Sequence, residues 1–478
     1  MDQLKFQHAP PHAGKDMMPT LNEVVTVDNC YYYLAMIERF WQVMNSMKRE
    51  QQRLYLARAE FRYELWVRAF DKKKMPTPPL DIAFLWHTHL LSPFRYYEDL
   101  VIRIPSAKAI LYASIPLEDL HRESDGPTKD TLMKWARLFG KTGEPYELNV
   151  DNMASGDYCS PCIVCQHEIR LPWTVYVGYR YGENTTPFAH PCGINRQINF
   201  LDVARMKLEH DLAKKVPTVA GTLLRPDGMP RVKRNSMAPH IVPIVHIEPQ
   251  NEMDYSYELQ IEDKLKSLGK NYEHDANELL YAIRTCYQGN PSPFSIDLIH
   301  AVARQHKFHV AAMSMDWSTS DAFSSAIRRY HDFLALMRKN PSLVAVPTVE
   351  IDCAWHTHML FAFPYRRFTR SRLHRVINHD DTIPEPSLKK FTNDTSEAWA
   401  QSSINYWITK INRPRGRAGP YEISLAVDDV GFGEEYYPGK IYSHKDDRRH
   451  IADLLNGEIK GSNRLPPART SAHCRGNN

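Results

Sequence analysis

A four-residue word occurs twice in this chain, as Trp86-His87-Thr88-His89 and as Trp355-His356-Thr357-His358. The match extends outward in register. Pro76-Thr77 and Pro78-Pro79-Leu80-Asp81-Ile82 lead into the first copy, and Pro347-Thr348-Val349-Glu350-Ile351 into the second. Leu91, Phe94 and Tyr96 downstream align with Leu360, Phe363 and Tyr365. Further on, Pro145-Tyr146-Glu147-Leu148 is echoed by Pro420-Tyr421-Glu422-Ile423. Upstream, Tyr31 to Met47 and Ala57 to Phe70 carry apolar residues at three- and four-residue spacing, the period of a helix buried on one side. Ala322 to Met337 mirrors the helix before the first copy, and Ser295 reads as an N-cap before Ile296 to Met315. A duplication embedded in matching helices constrains the fold more than any single motif: the chain must place two related helical units.

Composition sets the outer limits. At roughly 100–200 residues per domain, 478 residues suggest about three units. A net charge of +4 excludes a polycationic nucleic-acid coat and an acidic tail protein. A hydrophobic fraction of 43% supports real cores. The N-terminus lacks an apolar signal core, and no apolar run is long enough to span a bilayer. The expectation is therefore a cytoplasmic or nuclear protein with no membrane partner.

The reading gives a mainly α fold, with two homologous helical modules flanking a small zinc-ribbon-like α+β segment. The modules occupy 20–150 and 251–430. The ribbon segment and a helix near Phe200 to Lys214 occupy 151–213, with a strand-like run from Trp173 to Tyr179. A proline-rich linker or extended arm fills 214–250, with the basic residues Arg225, Arg231, Lys233 and Arg234 in it. Residues 431–478 read as an extension and a disordered tail. Small strands are also expected near 420–445.

Eight cysteines are too few for a disulfide scaffold. Four of them fall between Cys159 and Cys192, which points to metal. Cys162-x2-Cys165 followed by His190-Pro191-Cys192 supplies two close ligand pairs, the layout of a structural zinc site. Cys159 or, less well, His167 are alternate ligands, because Cys159-x2-Cys162 is also a knuckle. The competing reading is a set of buried free cysteines. Zinc here would fold a segment too small to build its own core.

The histidine words invite a metal reading as well. On a helix, however, residues i and i+2 lie roughly 200° apart, so His87 and His89 cannot share an ion. Asp352 and His356, at i and i+4, can touch. With His379 and Asp380 they compose a histidine-plus-carboxylate set of the kind hydrolytic and oxygenase metals use. The first copy carries Ala83 at the position of Asp352, which favours a structural role for the repeated Trp86, His87, His89, Trp355, His356 and His358. Nucleotide-loop, serine-hydrolase and zinc-protease motifs are absent from the sequence.

Around these residues the chain resembles the glycine-rich-domain-containing protein-like family of plants and fungi. Its pattern is a Pro-Thr entry, an Asp-Ile segment, Trp-His-x-His, a later aromatic and a His-Asp-Asp. The second copy follows it through Pro347-Thr348, Ile351-Asp352, Trp355 to His358, Tyr365 and His379-Asp380-Asp381. The first keeps Asp81-Ile82 and Trp86 to His89 but has no clear His-Asp-Asp. The resemblance spans both modules and the cysteine segment; with 20 glycines, the namesake glycine-rich tail is not expected. It implies links to plant stress or development and no defined reaction.

Three functions follow from these residues. The leading one is a non-catalytic zinc-binding scaffold or regulatory protein with a protein partner. The second is a metal-dependent enzyme, oxygenase or hydrolase, built on Asp352, His356, His379 and Asp380. The third is a nucleic-acid-binding regulator that uses the zinc segment and the basic linker.

Overall fold

A computed structural model describes residues 4–7, 10, 19–71, 73–161, 167–183, 188–189, 197–198, 200–231, 238–245, 256–269, 273–319 and 321–410. The described chain is mostly helical. Helix α1 (Val27–Asn45) starts where the Thr26 hydroxyl accepts from the Asn29 amide, and it buries Tyr33, Leu34, Ile37 and Phe40. Helix α2 (Arg49–Ala69) follows, and α3 (Leu80–Leu90) carries the first Trp-His-Thr-His. Ser92 then precedes Pro93 at the start of the short α4 (Pro93–Tyr97), as the N-cap and N1 preferences expect. A π-helical stretch, Glu98–Arg103, and a 3₁₀ stretch, Pro105–Tyr112, lead to α5 (Leu117–Arg122) and α6 (Lys129–Phe139).

The central region holds two short antiparallel pairs. Strand β1 (Asp157–Pro161) pairs with β2 (Glu168–Pro172), and β3 (Phe188–Ala189) with β4 (Gln197–Ile198). Between them lies α7 (Trp173–Arg180), where the β-branched run predicts a strand. Tertiary packing overrides that preference. As a helix, this segment puts Trp173 and Arg180 on one face, two turns apart, where both are buried. Trp173 then meets Phe61 of α2 edge-on, and Arg180 reaches Glu60 of the same helix.

Helices α8 (Phe200–Ala213), α9 (Ala238–Val245), α10 (Ser256–Ser267) and α11 (Glu273–Cys286) follow. They enclose a smaller apolar cluster that includes Leu208, Ile241, Ile261, Leu279 and Ile283. The proline-bearing arm contributes buried Val219 and Ala220 to it, so its start is packed in place rather than slack. Arg225 is paired with Asp227, and Arg231 with Glu278.

The second copy comprises α12 (Leu298–Ser314), α13 (Ala322–Lys339), α14 (Val349–Met359) with the second Trp-His-Thr-His, α15 (Ala362–Leu373) and, after a loop, α16 (Glu385–Lys410). The cap of α12 is Asp297, whose carboxylate accepts from the His300 amide. Ser295, the expected cap, instead donates its backbone and hydroxyl hydrogens to Asp99. Asp81, at the start of α3, is buried and paired with Arg62 at 2.6 Å. The expected strands near 420–445 and the 431–478 tail lie outside the described residues.

The two copies share one continuous apolar core rather than standing on either side of the cysteine segment. The reason lies in α3 and α14. Every residue of α3 from Asp81 to Leu90 is buried, and α14 is buried from Cys353 to Met359. A helix covered on all sides needs more neighbours than one small unit supplies. Helices α1 and α12, one from each copy, each touch both α3 and α14.

Candidate metal centre

Within each copy the aromatic and histidine residues repeat their bonds, not merely their order. The Trp86 indole donates to the Tyr96 hydroxyl at 3.0 Å, and Trp355 to Tyr365 at 3.0 Å. Thr88 and Thr357 each donate to the carbonyl four residues back, at 2.8 Å. His89 Nδ1 meets the Tyr63 hydroxyl at 3.1 Å, and His358 Nδ1 meets Tyr330 at 3.0 Å. The second histidine of each word is thus tied to the helix before it. Its other nitrogen differs between copies: His89 Nε2 lies 3.3 Å from Asp99, and His358 Nε2 lies 3.0 Å from the Asn22 amide.

The first histidine of each word turns the other way, toward α1. The Tyr33 hydroxyl stands between them, 3.2 Å from His87 Nε2 and 2.8 Å from His356 Nδ1. His87 and His89 therefore diverge, as helical geometry requires. Tyr33 is the junction of the two copies, and no sequence pattern singles it out among Tyr31, Tyr32 and Tyr33. Tyr63 and Tyr330 were legible in principle, since both precede their words at nearly equal distance.

Around His356 the second copy adds what the first lacks. Asp352, one turn earlier on α14, brings Oδ1 to 3.1 Å from His356 Nε2. His379, from the loop after α15, brings its Nε2 to 3.3 Å from His356 Nε2 and 3.8 Å from the same Asp352 oxygen. The Tyr365 hydroxyl fixes that loop by donating to the Ile377 carbonyl at 2.9 Å. In the first copy the equivalent Tyr96 donates to Ile110, and two residues on stands Tyr112. Ala83 and Tyr112 thus replace Asp352 and His379, and only one of the three groups is duplicated. Asp380 does not join them: it is exposed, and its carboxylate accepts from the Thr382 amide at 2.9 Å. Asp381 instead holds Arg304 and Gln305.

Electrostatics follow burial. Burial pushes the His379 imidazole below its usual range, reinforced by His356. Burial opposes ionisation of Asp352, but His356 and His379 hold its carboxyl below the ordinary carboxylate value. Burial lowers His358 to about 3, which keeps it neutral.

The cysteine candidates fare differently. Cys162, Cys165, His190 and Cys192 lie outside the described residues; Cys159 is half-buried on β1 with a free thiol, and His167 is exposed just before β2.

Comparison with known proteins bears on the same residues. The model of the glycine-rich domain-containing protein-like family matches residues 32–99 and 244–368, which include both Trp-His-Thr-His words. Over these two stretches the chain is similar to this family. Glycine-rich domain-containing proteins 2 and 1 of Arabidopsis thaliana are 32% identical over 120 residues and 31% over 121. Each alignment covers 23% of this chain and 15% of the relative. The family match leaves out the cysteine segment and stops before His379, so it is narrower than the motif reading expects. No solved structure matches the chain.

Proposed function

We propose that this protein is a non-catalytic zinc-binding protein that acts as a helical interaction scaffold. The observation that carries the zinc part is the position of the ligand pairs. Cys162 and Cys165 fall in residues 162–167, which join the antiparallel strands β1 and β2. His190 and Cys192 fall in residues 190–196, which join β3 and β4. Two ligand pairs, each lying in sequence between two paired strands, suit a tetrahedral structural zinc. The scaffold part is supported by the repeated histidines. His87, His89 and His358 are spent on bonds inside the core, where they tie helices together and face no substrate. Metal analysis of the purified full chain tests this. We expect the zinc content to fall in Cys162→Ser and Cys192→Ser; a zinc-free wild type, or zinc content indifferent to both changes, refutes the reading.

A metal-dependent enzyme is the competing reading, and the convergence of Asp352, His356 and His379 favours it. Against it stands the divergence of Asp380. The nucleic-acid reading draws little from Arg225 and Arg231, whose charges are already matched by Asp227 and Glu278.

A further inference from the structure

We propose a second metal site, independent of the cysteines, in which Asp352, His356 and His379 hold one divalent first-row transition cation such as zinc. Three atoms converge: Asp352 Oδ1, His356 Nε2 and His379 Nε2, separated by 3.1, 3.3 and 3.8 Å. Ligands at roughly 2.0–2.2 Å from an ion sit about 3.0–3.5 Å from one another in tetrahedral or octahedral geometry. The two shorter separations already match, and the third needs to close by only a few tenths of an ångström.

Hydrogen bonding on the far sides of the rings sets the lone pairs. His379 Nδ1 lies 3.1 Å from the Leu91 carbonyl, an acceptor only, so Nδ1 carries the proton and Nε2 offers its lone pair to the site. His356 is anchored at Nδ1 by the Tyr33 hydroxyl, which leaves Nε2 pointing at the same spot. A ligating imidazole held at its other nitrogen by a carbonyl or hydroxyl is the usual support of a metal site. The Asp352 oxygen is buried and accepts no aligned hydrogen bond, despite its closeness to His356. A buried anionic oxygen in that state costs stability unless a cation meets it. Two imidazoles and one carboxylate suit zinc, cobalt, nickel or ferrous iron better than calcium or magnesium.

The site lies close beneath the surface. His356 is sealed, with 1% of its side chain exposed, while Asp352 and His379 keep 19% and 11%. Three protein ligands leave at least one coordination position on that half-open side for water. The ion would fasten the loop carrying His379 to α14. That loop is already pinned to the first copy, because the Phe94 amide donates to Asn378 and His379 meets Leu91. The ion therefore acts as a clasp between the copies, and the first copy, with Ala83 and Tyr112, has no equivalent.

Cobalt(II) titration of the metal-stripped full chain tests the site. We expect a visible ligand-field spectrum without sulfur-to-cobalt charge transfer in the Cys162→Ser background, and a higher melting temperature with the metal. Asp352→Asn and His379→Gln should each weaken cobalt binding at least tenfold, while Asp380→Ala should not. Each variant is first checked for native circular dichroism; should one unfold, the other and the spectrum of the Cys162→Ser protein decide. No nitrogen/oxygen-type spectrum in that protein, or binding unchanged by both substitutions, overturns the proposal. Because the cysteine zinc reports through its sulfur band, either site can fail without the other.

Discussion

At the scale of single residues, neutral histidines and ionised aspartates share the same interior, and this fixes the response to acid. Burial, then the nearby His306, lowers His309 to about 4, and burial lowers His87 in the same direction. The unfolded chain takes up these protons near pH 6.5. Stability from such a group is complete above that value and is lost as pH falls toward the folded pKa. Asp99 adds a second loss. Burial opposes its charge, but Arg103 and His89 hold it well below the usual carboxylate range, so its contribution disappears below about pH 4. Thermal melts should therefore show the melting temperature falling from pH 6.5 to 4 and more steeply below, with His309→Gln flattening part of the upper limb. A melting temperature constant from pH 6.5 to 4 contradicts this. The pairing of Trp86 with Tyr96 could be inferred from the repeat alone. The placing of Tyr33 between His87 and His356 could not, because it joins positions far apart in sequence.

At the scale of elements, helix periods were readable and local exceptions were not. The patterns near Tyr31, Ala57 and Ala322 fall on α1, α2 and α13, although α2 begins eight residues before Ala57. The run at Trp173 misleads, since its propensity is for strand while its burial partners reward a helix. The arm after α8 depends on one backbone position. Gly221 has φ +88°, and its amide and that of Leu223 donate to the two oxygens of Glu98. A Cβ there would lie 2.9 Å from Arg95 Nη1 and 3.0 Å from Ala282 Cβ. Gly221→Ala should cost about 2–4 kcal/mol, from the left-handed backbone and the overpacking together. A shift of the denaturation midpoint worth under about 0.5 kcal/mol would show that the arm yields freely.

At the scale of the whole molecule, one ion-pair cluster links both copies through the central region. Arg180 of α7 donates at 2.7 Å to Glu60 of α2 and at 2.7 Å to Asp297 at the cap of α12, with all three side chains no more than 3% exposed. Breaking such a set leaves two uncompensated buried carboxylates, so Arg180→Met should destabilise by about 3–5 kcal/mol. With one shared core, circular dichroism and tryptophan fluorescence should still lose signal in a single transition. Two separated transitions would mean that the copies unfold independently.

By itself the sequence determined the helical period, the duplication and the pairing of Asp352 with His356, because each depends on residues within a few turns of one another. Only the tertiary structure decided that the copies share a core, that His379 joins Asp352 and His356 while Asp380 turns away, and that Tyr33 links both words. Those outcomes depend on which distant surfaces bury one another, and local spacing carries no record of that.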